Sequence, residues 1–328
     1  MVSCLKSKIV LISPATAEAN NGNWHTAYRW AKFLSGHCDI AIKQDWDITH
    51  TDPVAMIALH ARRSAASIHA WATQHPDRPL IVVLTGTDLY RDIQRDASAS
   101  RSLQLATHLV VLQEAGLAVL PKELQNKARV IFQSAPRLKP AVKSAKRFTA
   151  VMVGHLREEK EPLTFMKAAR LCDTHNIYFE QIGDGLDSTL ANAAKLNAVD
   201  QPNYKWLGGL PRAQTRQHIK RAHVLVNSSI MEGGAHVILE AVQSGTPVLA
   251  SQISGNVGML GSEYAGYFEV GNAVALAALV KRCAAEPAFL RHLQSQCARR
   301  AELFEPALEK RLVLKLTASA LKDTDERS

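Results

Sequence analysis

The sequence predicts an α/β protein built from two doubly wound domains, each with a parallel sheet. The chain has 328 residues, more than a single hydrophobic core usually holds. Short, continuous apolar runs alternate with helix-length segments in both halves, which is typical of parallel strands covered on both faces. Residues 133–147 contain two prolines and five basic but no acidic side chains, which predicts a linker between the halves.

The predicted elements follow from these runs in chain order. The expected strands of the first half are residues 9–12, 56–59, 80–84, 109–112 and 130–132. Those of the second half are residues 150–153, 177–182, 224–226, 248–250 and 267–270. The tail, residues 303–321, carries leucines and a valine at helical spacing and predicts a final helix. We therefore expect domains at residues 1–135 and 148–305, followed by a helix at 306–328.

Bulk composition restricts the function classes. With 47% hydrophobic residues and no apolar run of membrane-spanning length, the chain reads as globular, without a signal peptide, and cytoplasmic. Five scattered cysteines without a Cys-x-x-Cys pair predict reduced thiols. The net charge of +9 is shared by both halves and forms no basic stripe with interleaved aromatics. Small anionic ligands fit this distribution better than nucleic acid or membrane partners.

The most informative segment is residues 227–251. A buried-looking strand runs into Glu232-Gly233-Gly234, and a second acid, Glu240, follows inside an apolar helical run. A strand, a glycine turn and a helix start together present backbone N–H groups to an anion. Two carboxylates beside such a turn suit the hydroxyls of a nucleotide sugar. The alternative is an ordinary loop in which Glu232 caps a helix and Glu240 is solvated.

This segment resembles the acid–seven residues–acid motif of family-4-type retaining glycosyltransferases with the GT-B architecture. The resemblance implies two Rossmann-like domains facing a cleft, a nucleotide sugar held mainly by the second domain, no cofactor, and a last helix that crosses back to the first domain. It places Glu240 on the ribose hydroxyls and Glu232, as a catalytic residue, near the sugar. It also places Gly233, Gly234 and Ala235 against the nucleotide sugar.

Two further turns of the second half extend the resemblance. In the family, a Gly-Arg-Leu and a later Glu-Lys neutralise the departing diphosphate; Lys160 fits the lysine and is a candidate catalytic residue. His155 stands where the arginine is usual, so either His155 or Arg157 supplies the second contact, with a solvated charged turn as the alternative. Gly183 follows the next strand and is expected to line the nucleotide pocket, unless its turn is purely structural.

In the first half, three strand ends carry candidate acceptor-binding residues. Gly22, Asn23 and His25 belong to a glycine- and amide-rich loop, in which His25 is a candidate general base or anion ligand; a structural role is equally open.

His60, Arg62 and Arg63 end another strand, where paired guanidiniums suit a phosphate-like group. The plainer alternative there is that Ser64 caps the next helix. Thr87 and Arg91 follow a third strand and extend the same positive pocket.

The pair Asp45 and Asp47 matches the metal-binding acid pair of the other glycosyltransferase architecture. Here it lies outside the strand context that the motif requires. We therefore predict no catalytic metal.

The sequence is similar to one branch of this family, the selenosugar synthases of bacterial selenoneine biosynthesis. The similar segments are NGNWHTA, LHARRSA and LTGTDLYRDI in the first half and VGHLREEK and SSIMEGGAHVILEA in the second. That branch joins selenium from selenophosphate to the anomeric carbon of a UDP-sugar such as UDP-N-acetylglucosamine. A small dianionic substrate would account for the arginines of the first half. The alternatives are a conventional retaining transferase with a hydroxyl acceptor and a nucleotide-sugar binding protein without turnover.

Overall fold

The computed structural model describes residues 7–16, 22–47, 52–172 and 176–325. The chain divides into two compact units, residues 1–133 with 306–328, and residues 134–305. Each unit is α/β and contains a six-stranded, all-parallel sheet, so the predicted fold class is confirmed. No helix within these described ranges is both long and apolar enough to cross a membrane.

The first unit alternates strands and helices from its start. Its elements are β1 (Lys8–Ile12), α1 (Gly22–Leu34), β2 (Asp39–Lys43), β3 (Ala55–Leu59), α2 (Ala65–Gln74), β4 (Leu80–Leu84), a single π-helical turn (Asp88–Asp92), α3 (Ile93–Arg95), α4 (Ala97–Leu105), β5 (His108–Val111), two 3₁₀ segments (Glu114–Val119 and Lys122–Lys127), β6 (Ala128–Val130) and the C-terminal α12 (Pro306–Asp325).

The first sheet has the strand order β2-β1-β3-β4-β5-β6. Every residue of β3 and β4 is buried, because helices cover both faces of the sheet. This explains why those strands read as continuous apolar runs. The chain moves outward in opposite directions from β1 and β3, and the crevice at such a reversal is where open α/β sheets bind ligands.

Helix α12 belongs to the first unit and packs on α1. Leu316 and Val313 join the apolar cluster that also holds Trp30 of α1. The fully buried Glu309 side chain accepts from Arg29 at 2.7 and 3.0 Å and from the Trp30 indole N–H at 2.8 Å. The carboxylate is thus paired and hydrogen-bonded, as a buried charge must be.

The second unit repeats the same plan. Its elements are β7 (Phe148–Val153), a 3₁₀ turn (Glu158–Lys160), α5 (Pro162–Leu171), β8 (Ile177–Ile182), α6 (Ser188–Asp200), β9 (Tyr204–Trp206), α7 (Arg212–Arg221), β10 (Val224–Asn227), α8 (His236–Val242), β11 (Val248–Ser251), α9 (Ser254–Leu260), β12 (Tyr267–Phe268), α10 (Ala273–Ala285), α11 (Pro287–Arg300) and a 3₁₀ turn (Ala301–Phe304). The strand order is β12-β11-β10-β7-β8-β9, so the reversal lies between β7 and β10.

Two strands were not predicted, β2 and β9. Both carry charged residues and neither is a buried apolar run: β9 is Tyr-Lys-Trp and β2 has no fully buried residue. Both are edge strands of their sheets, with no neighbouring strand on one side among the residues that the structure describes. Polar edge strands give a weaker sequence signal than central parallel strands.

The segment predicted as a linker is fastened to the second unit rather than left as a free spacer. The Leu138 N–H donates to the carbonyl of Gln243 at 2.8 Å. The Lys143 ammonium donates to the carbonyls of Lys220 and Ala222 at 2.7 and 2.6 Å. Burial lowers the pKa of Lys143 to about 8. A run of basic residues is therefore not always a solvent-exposed segment.

Candidate active site

The turns after β7 and β10 lie side by side at the reversal point of the second sheet. The Ser228 hydroxyl lies 3.0 and 2.9 Å from the carbonyl oxygens of Lys160 and Glu161. The Ile230 N–H donates to the carbonyl of Glu159 at 3.0 Å. These bonds hold the segment that contains the first acid against the turn that contains the candidate lysine. Helix α5 begins at Pro162, with Glu161 as the N-cap residue whose carboxylate accepts from the Thr164 N–H.

Lys160 and Glu232 are in direct contact. The ammonium of Lys160 donates to Oε1 of Glu232 at 2.5 Å. The same oxygen accepts from the Ser229 hydroxyl at 2.6 Å and from the Asn227 amide at 3.4 Å. Burial opposes ionisation of Glu232, but the charge and the hydrogen bonds of Lys160, together with Ser229 and Asn227, outweigh it, so the pKa of Glu232 lies below its usual value. Glu232 therefore does not cap a helix as the plainer interpretation proposed.

Glu240 is also buried and paired, with 4% of the residue exposed. Its Oε1 accepts from Arg212 at 3.1 and 3.2 Å and lies 3.4 Å from Nδ1 of His236 and 3.8 Å from Nε of Arg216. Burial opposes its ionisation, yet the three cationic or hydrogen-bonding neighbours lower the pKa of Glu240 to about 2. The alternative of a solvated Glu240 is wrong.

Both acids share one arrangement. Within the described residues, protein donors reach Oε1 of Glu232 and Oε1 of Glu240, and none reaches Oε2 of either. Each carboxylate is ionised and held at one oxygen, while the other oxygen is left to accept a hydrogen bond from a ligand. Ligand hydroxyls are the donors that this arrangement suits best.

His155 and Arg157 differ in how the structure holds them. Nδ1 of His155 accepts from the Asp184 N–H at 3.2 Å, which leaves Nε2 to carry the ring proton. Burial, with the charges of Arg157 and Lys160, lowers the pKa of His155 against the opposing effect of Asp184. Arg157 is exposed, and the structure shows it in no ion pair with any residue it describes. A neutral histidine can donate to a diphosphate, whereas Arg157 would bring a full charge.

The glycines have different roles. At Gly183 φ is +147°, and an added Cβ would lie 2.0 Å from the Gly154 carbonyl oxygen, so only glycine fits this approach of β8 to β7. Gly233 and Gly234 are not among the positive-φ glycines. They form the bend before α8, with Ala235 buried at its N-cap position. The glycine requirement at Gly183 is therefore structural, and a role in lining a pocket is additional to it.

In the first unit, His60 and Thr87 are brought together. His60 has a left-handed backbone, with φ of +73°, and only 2% of it is exposed. Its Nε2 lies 2.9 Å from the Thr87 hydroxyl, and its Nδ1 accepts from the Arg63 N–H at 3.3 Å. Burial is the main reason that the pKa of His60 is lowered. His60 shapes this turn from inside rather than presenting a charge to a ligand.

The carboxylate of Asp92 lies among the predicted arginines. It accepts from Nε of Arg62 at 2.8 Å and from Nε of Arg91 at 3.2 Å. Two of the three predicted phosphate-binding arginines are therefore already paired, although one carboxylate offsets only one of their two charges. Arg63 is exposed, and no ion pair joins it to the described part of the chain. Ser64 does not cap α2 with its side chain; it donates instead to the Leu59 carbonyl at 2.7 Å.

Gly22, Asn23 and His25 were expected in a loop, but they form the first turn of α1. Asn20, also in that predicted loop, lies outside the described residues. A Cβ on Gly22 would meet nothing within 4 Å, so glycine is not sterically required there. Asp45 and Asp47 are both exposed, in the segment after β2.

Sequence reasoning missed the partners of the acids. Arg212, Arg216 and His236 surround Glu240, and Asp92 joins the arginines of the first unit. Two of these partners are local in sequence: His236 stands four residues before Glu240 on α8, a spacing at which side chains meet, and Asp92 directly follows Arg91. The contacts of Arg212 and Arg216 with Glu240, and of Arg62 with Asp92, join distant parts of the chain.

Comparison with known proteins gives independent information on the family and the fold of the chain. A family model described as glycosyl transferases group 1 matches residues 136–303, a little over half of the chain. The Escherichia coli UDP-Gal:alpha-D-GlcNAc-diphosphoundecaprenol alpha-1,3-galactosyltransferase is 32% identical over 131 residues, which is 37% of this chain and 32% of that protein. The chain matches less than half the length of the curated relatives.

Solved structures match the whole fold. Anabaena HepE in complex with UDP superposes with a TM-score of 0.75 at 15% identity, covering 96% of this chain and all of that one (100%). Sucrose-phosphate synthase from Thermosynechococcus elongatus gives a TM-score of 0.76 at 17% identity, covering 97% and 100%. At such low identity the likeness concerns the fold.

Proposed function

The chain belongs to the group 1 glycosyl transferases, and on that basis we propose that it transfers the sugar of a UDP-sugar, such as UDP-N-acetylglucosamine, to selenium supplied as selenophosphate. The observation that carries glycosyl transfer is the contact of Lys160 with the buried, ionised Glu232 at the reversal point of the second sheet. The selenium acceptor rests on the resemblance of the sequence segments quoted above and on the exposed charge of Arg63.

On the side of the UDP-sugar donor, each of the three side chains has a separate role. Negative charge develops on the β-phosphate as the bond from the anomeric carbon to the diphosphate oxygen breaks, and the Lys160 ammonium is the cation that stabilises it. The free Oε2 of Glu232 accepts from a sugar hydroxyl, and that of Glu240 from the ribose. Support for UDP comes from Anabaena HepE, which was crystallised with UDP and with UDP-glucose.

In the acceptor half, Arg63 is the main anion contact, because Asp92 already pairs with Arg62 and Arg91. A bound dianion would compete with Asp92 for those two guanidiniums and gain their bidentate geometry. Selenium then attacks the anomeric carbon while the diphosphate oxygen leaves with the bonding electron pair. Water cleaves the P–Se bond, takes up the phosphoryl group as inorganic phosphate, and leaves the electron pair of that bond on selenium.

A second candidate is a conventional transferase with a hydroxyl acceptor. The specific observation in its favour is the same Asp92, which reduces the net positive charge of the predicted anion site. A neutral acceptor would need fewer free cations there, and a carboxylate could receive its hydroxyl proton as a hydrogen bond.

The test is UDP release from UDP-N-acetylglucosamine by the purified chain in parallel reactions. One contains selenophosphate, one contains inorganic phosphate as a matched anion without selenium, and one contains a panel of hydroxyl acceptors. Release that requires selenophosphate supports the proposal. Release only with a hydroxyl acceptor supports the second candidate, and binding of UDP-sugar without release in any reaction would reject both.

A further inference from the structure

A buried polar network leads to the same Glu232 oxygen that Lys160 binds. We propose that Asn256 is a positioning residue that fixes the Glu232 carboxylate through this network. The inference deepens the proposed function and rests on it for the statement that Glu232 contacts the sugar. The geometry itself is independent of that function.

Asn256 is the centre of the network. It lies on α9, is completely buried (0% exposed), and sits far from Glu232 in sequence. Its amide Nδ2 donates to Oδ1 of Asn227 at 3.3 Å, to the carbonyl of Ser251 at 2.9 Å and to the Ser251 hydroxyl at 3.1 Å. A fully buried amide has a high cost unless it is hydrogen-bonded, so its partners define where it sits.

Two arms lead from Asn256 to the same carboxylate oxygen. In the first, Asn256 orients the Asn227 amide, whose Nδ2 donates to Oε1 of Glu232 at 3.4 Å. In the second, the Ser251 hydroxyl donates to the Ser229 carbonyl at 2.5 Å, and the Ser229 hydroxyl donates to Oε1 of Glu232 at 2.6 Å. The arms are joined, because the Ser229 N–H donates to Oδ1 of Asn227 at 3.2 Å.

The backbone beside Asn256 also contacts Glu232. A Cβ on Gly255 would lie 2.0 Å from the Glu232 carbonyl oxygen, so α9 packs directly on the residue it helps to place. The main chain of Glu232 is thus fixed by contact and its side chain by the two arms. Oε1 is thus held by the protein, and the proposal assigns the sugar hydroxyl to Oε2.

Reactive groups must be held within a fraction of an ångström, and a displacement of 1 Å in a supporting residue can cost roughly 100-fold in rate. Loss of the network should therefore reduce turnover of a UDP-sugar while leaving the affinity for UDP unchanged, because UDP lacks the sugar that Glu232 contacts. It should also weaken the ion pair of Lys160 with Glu232, the charged group that faces this carboxylate most closely.

The experiment uses the full chain with Asn256→Leu, which removes the amide at similar volume, and with Ser251→Ala, which cuts only the second arm. Asn197→Leu is the matched control, because Asn197 is an equally buried asparagine of the second unit (1% exposed) that bonds to Arg170 rather than to this network. Trace acetylation followed by mass spectrometry reports the reactivity of the Lys160 amine relative to Lys195, without any need for turnover. In the same variants, kcat for the UDP-sugar and Kd for UDP are measured.

We expect Lys160 to be acetylated roughly fivefold faster in both network variants, the factor that corresponds to one lost hydrogen bond. We expect kcat to fall at least roughly tenfold with Kd for UDP unchanged. Wild-type reactivity of Lys160 in Ser251→Ala, or an equal rise in Asn197→Leu, would overturn the inference. If Asn256→Leu does not fold, Ser251→Ala decides. Absence of UDP release by the wild type would reject the proposed function, whereas the acetylation result still tests the positioning.

Discussion

At the residue scale, the two acids of the second unit are ionised before any ligand arrives. Glu232 and Glu240 are both buried, and both have a lowered pKa because cationic neighbours outweigh the cost of burial. Protein donors occupy one oxygen of each. A ligand whose hydroxyls donate to the second oxygen completes the hydrogen bonding of each carboxylate without separating its existing ion pairs.

Replacing Glu240 by alanine should weaken UDP binding by roughly 1.5–3 kcal/mol, because it removes a charge-assisted hydrogen bond to the ribose. The replacement also leaves Arg212 without its partner. Calorimetry with UDP measures the change. Glu180→Ala is the control, since Glu180 pairs with His218 in the same unit but lies on β8 rather than on α8. Unchanged UDP affinity in Glu240→Ala would remove Glu240 from the nucleotide site.

Replacing Lys160 by alanine should lower kcat more than it weakens UDP-sugar binding, because the ammonium acts on charge that develops in the transition state. Steady-state kinetics and calorimetry together separate the two effects. The exposed Lys195 provides a matched Lys→Ala control. A Lys160→Ala protein with near-normal kcat would assign the cation elsewhere, and Arg157→Ala would then be the next variant to measure.

Sequence alone could place Glu232 and Lys160 at turns of one sheet and Glu240 on the helix that follows, since glycines and apolar runs mark these elements locally. It could not identify Arg212 and Arg216 as partners of Glu240. They lie on a strongly polar helix that reads as solvated, and their contact with Glu240 depends on how α7 and α8 pack. Asp92 was missed for the same reason, because its pairing with Arg62 joins residues 30 positions apart.

At the element scale, the turn after β3 and the π-helical turn after β4 form the predicted acceptor site. Asp88 is fully buried and accepts from the backbone N–H groups of Thr85, Gly86 and Ala61 at 2.9, 2.8 and 3.0 Å. One carboxylate therefore fixes both turns to each other. The arginines that extend from these turns therefore have a fixed backbone.

Replacing Arg62 and Arg63 together by alanine should raise the KM for selenophosphate at least roughly tenfold while leaving UDP-sugar affinity nearly intact. Of the single variants, Arg63→Ala should have the larger effect, because Arg62 is paired with Asp92. Initial rates at varied selenophosphate test this. A double variant that loses UDP-sugar affinity and keeps its selenophosphate KM would show that the two sites are reversed.

Replacing Glu309 by alanine should destabilise the first unit by about 3–5 kcal/mol, since it leaves the Arg29 guanidinium, which is 14% exposed, without its buried partner. Urea unfolding followed by tryptophan fluorescence is suitable, because four of the five tryptophans lie in this unit. Arg29→Ala and the double variant complete a cycle that isolates the pair. A loss below about 0.5 kcal/mol would show that α12 docks by apolar contact alone.

Element prediction was most accurate for the central strands, whereas at the sheet edges β6 and β12 were found only in part and β2 and β9 were missed. β3 and β4 were found because burial forces them to be apolar throughout, whereas β2 and β9 are polar at the sheet edges. The first turn of α1 was predicted as loop because Gly22 and Asn23 are poor helix formers, and packing of the later turns overrides that preference.

At the scale of the whole molecule, the proposed reaction relies on side chains for the work of a metal ion. Lys160 and, in the proposed acceptor site, Arg63 would supply the cations that offset phosphate charge. Full activity should therefore survive EDTA, measured as UDP release before and after chelation. Activity that is abolished by chelation and restored by magnesium or manganese would redirect attention to Asp45 and Asp47.

The proposed reaction forms a bond between selenium and the anomeric carbon of the UDP-sugar. The most direct measurement uses UDP-N-acetylglucosamine labelled with carbon-13 at the anomeric position, together with selenophosphate and the purified chain. We expect a product whose anomeric carbon-13 signal shows one-bond coupling to selenium-77, and we expect Lys160→Ala to form this product slowly. A product in which the anomeric carbon is bonded only to oxygen, formed at the same rate with or without selenophosphate, would contradict the proposed reaction.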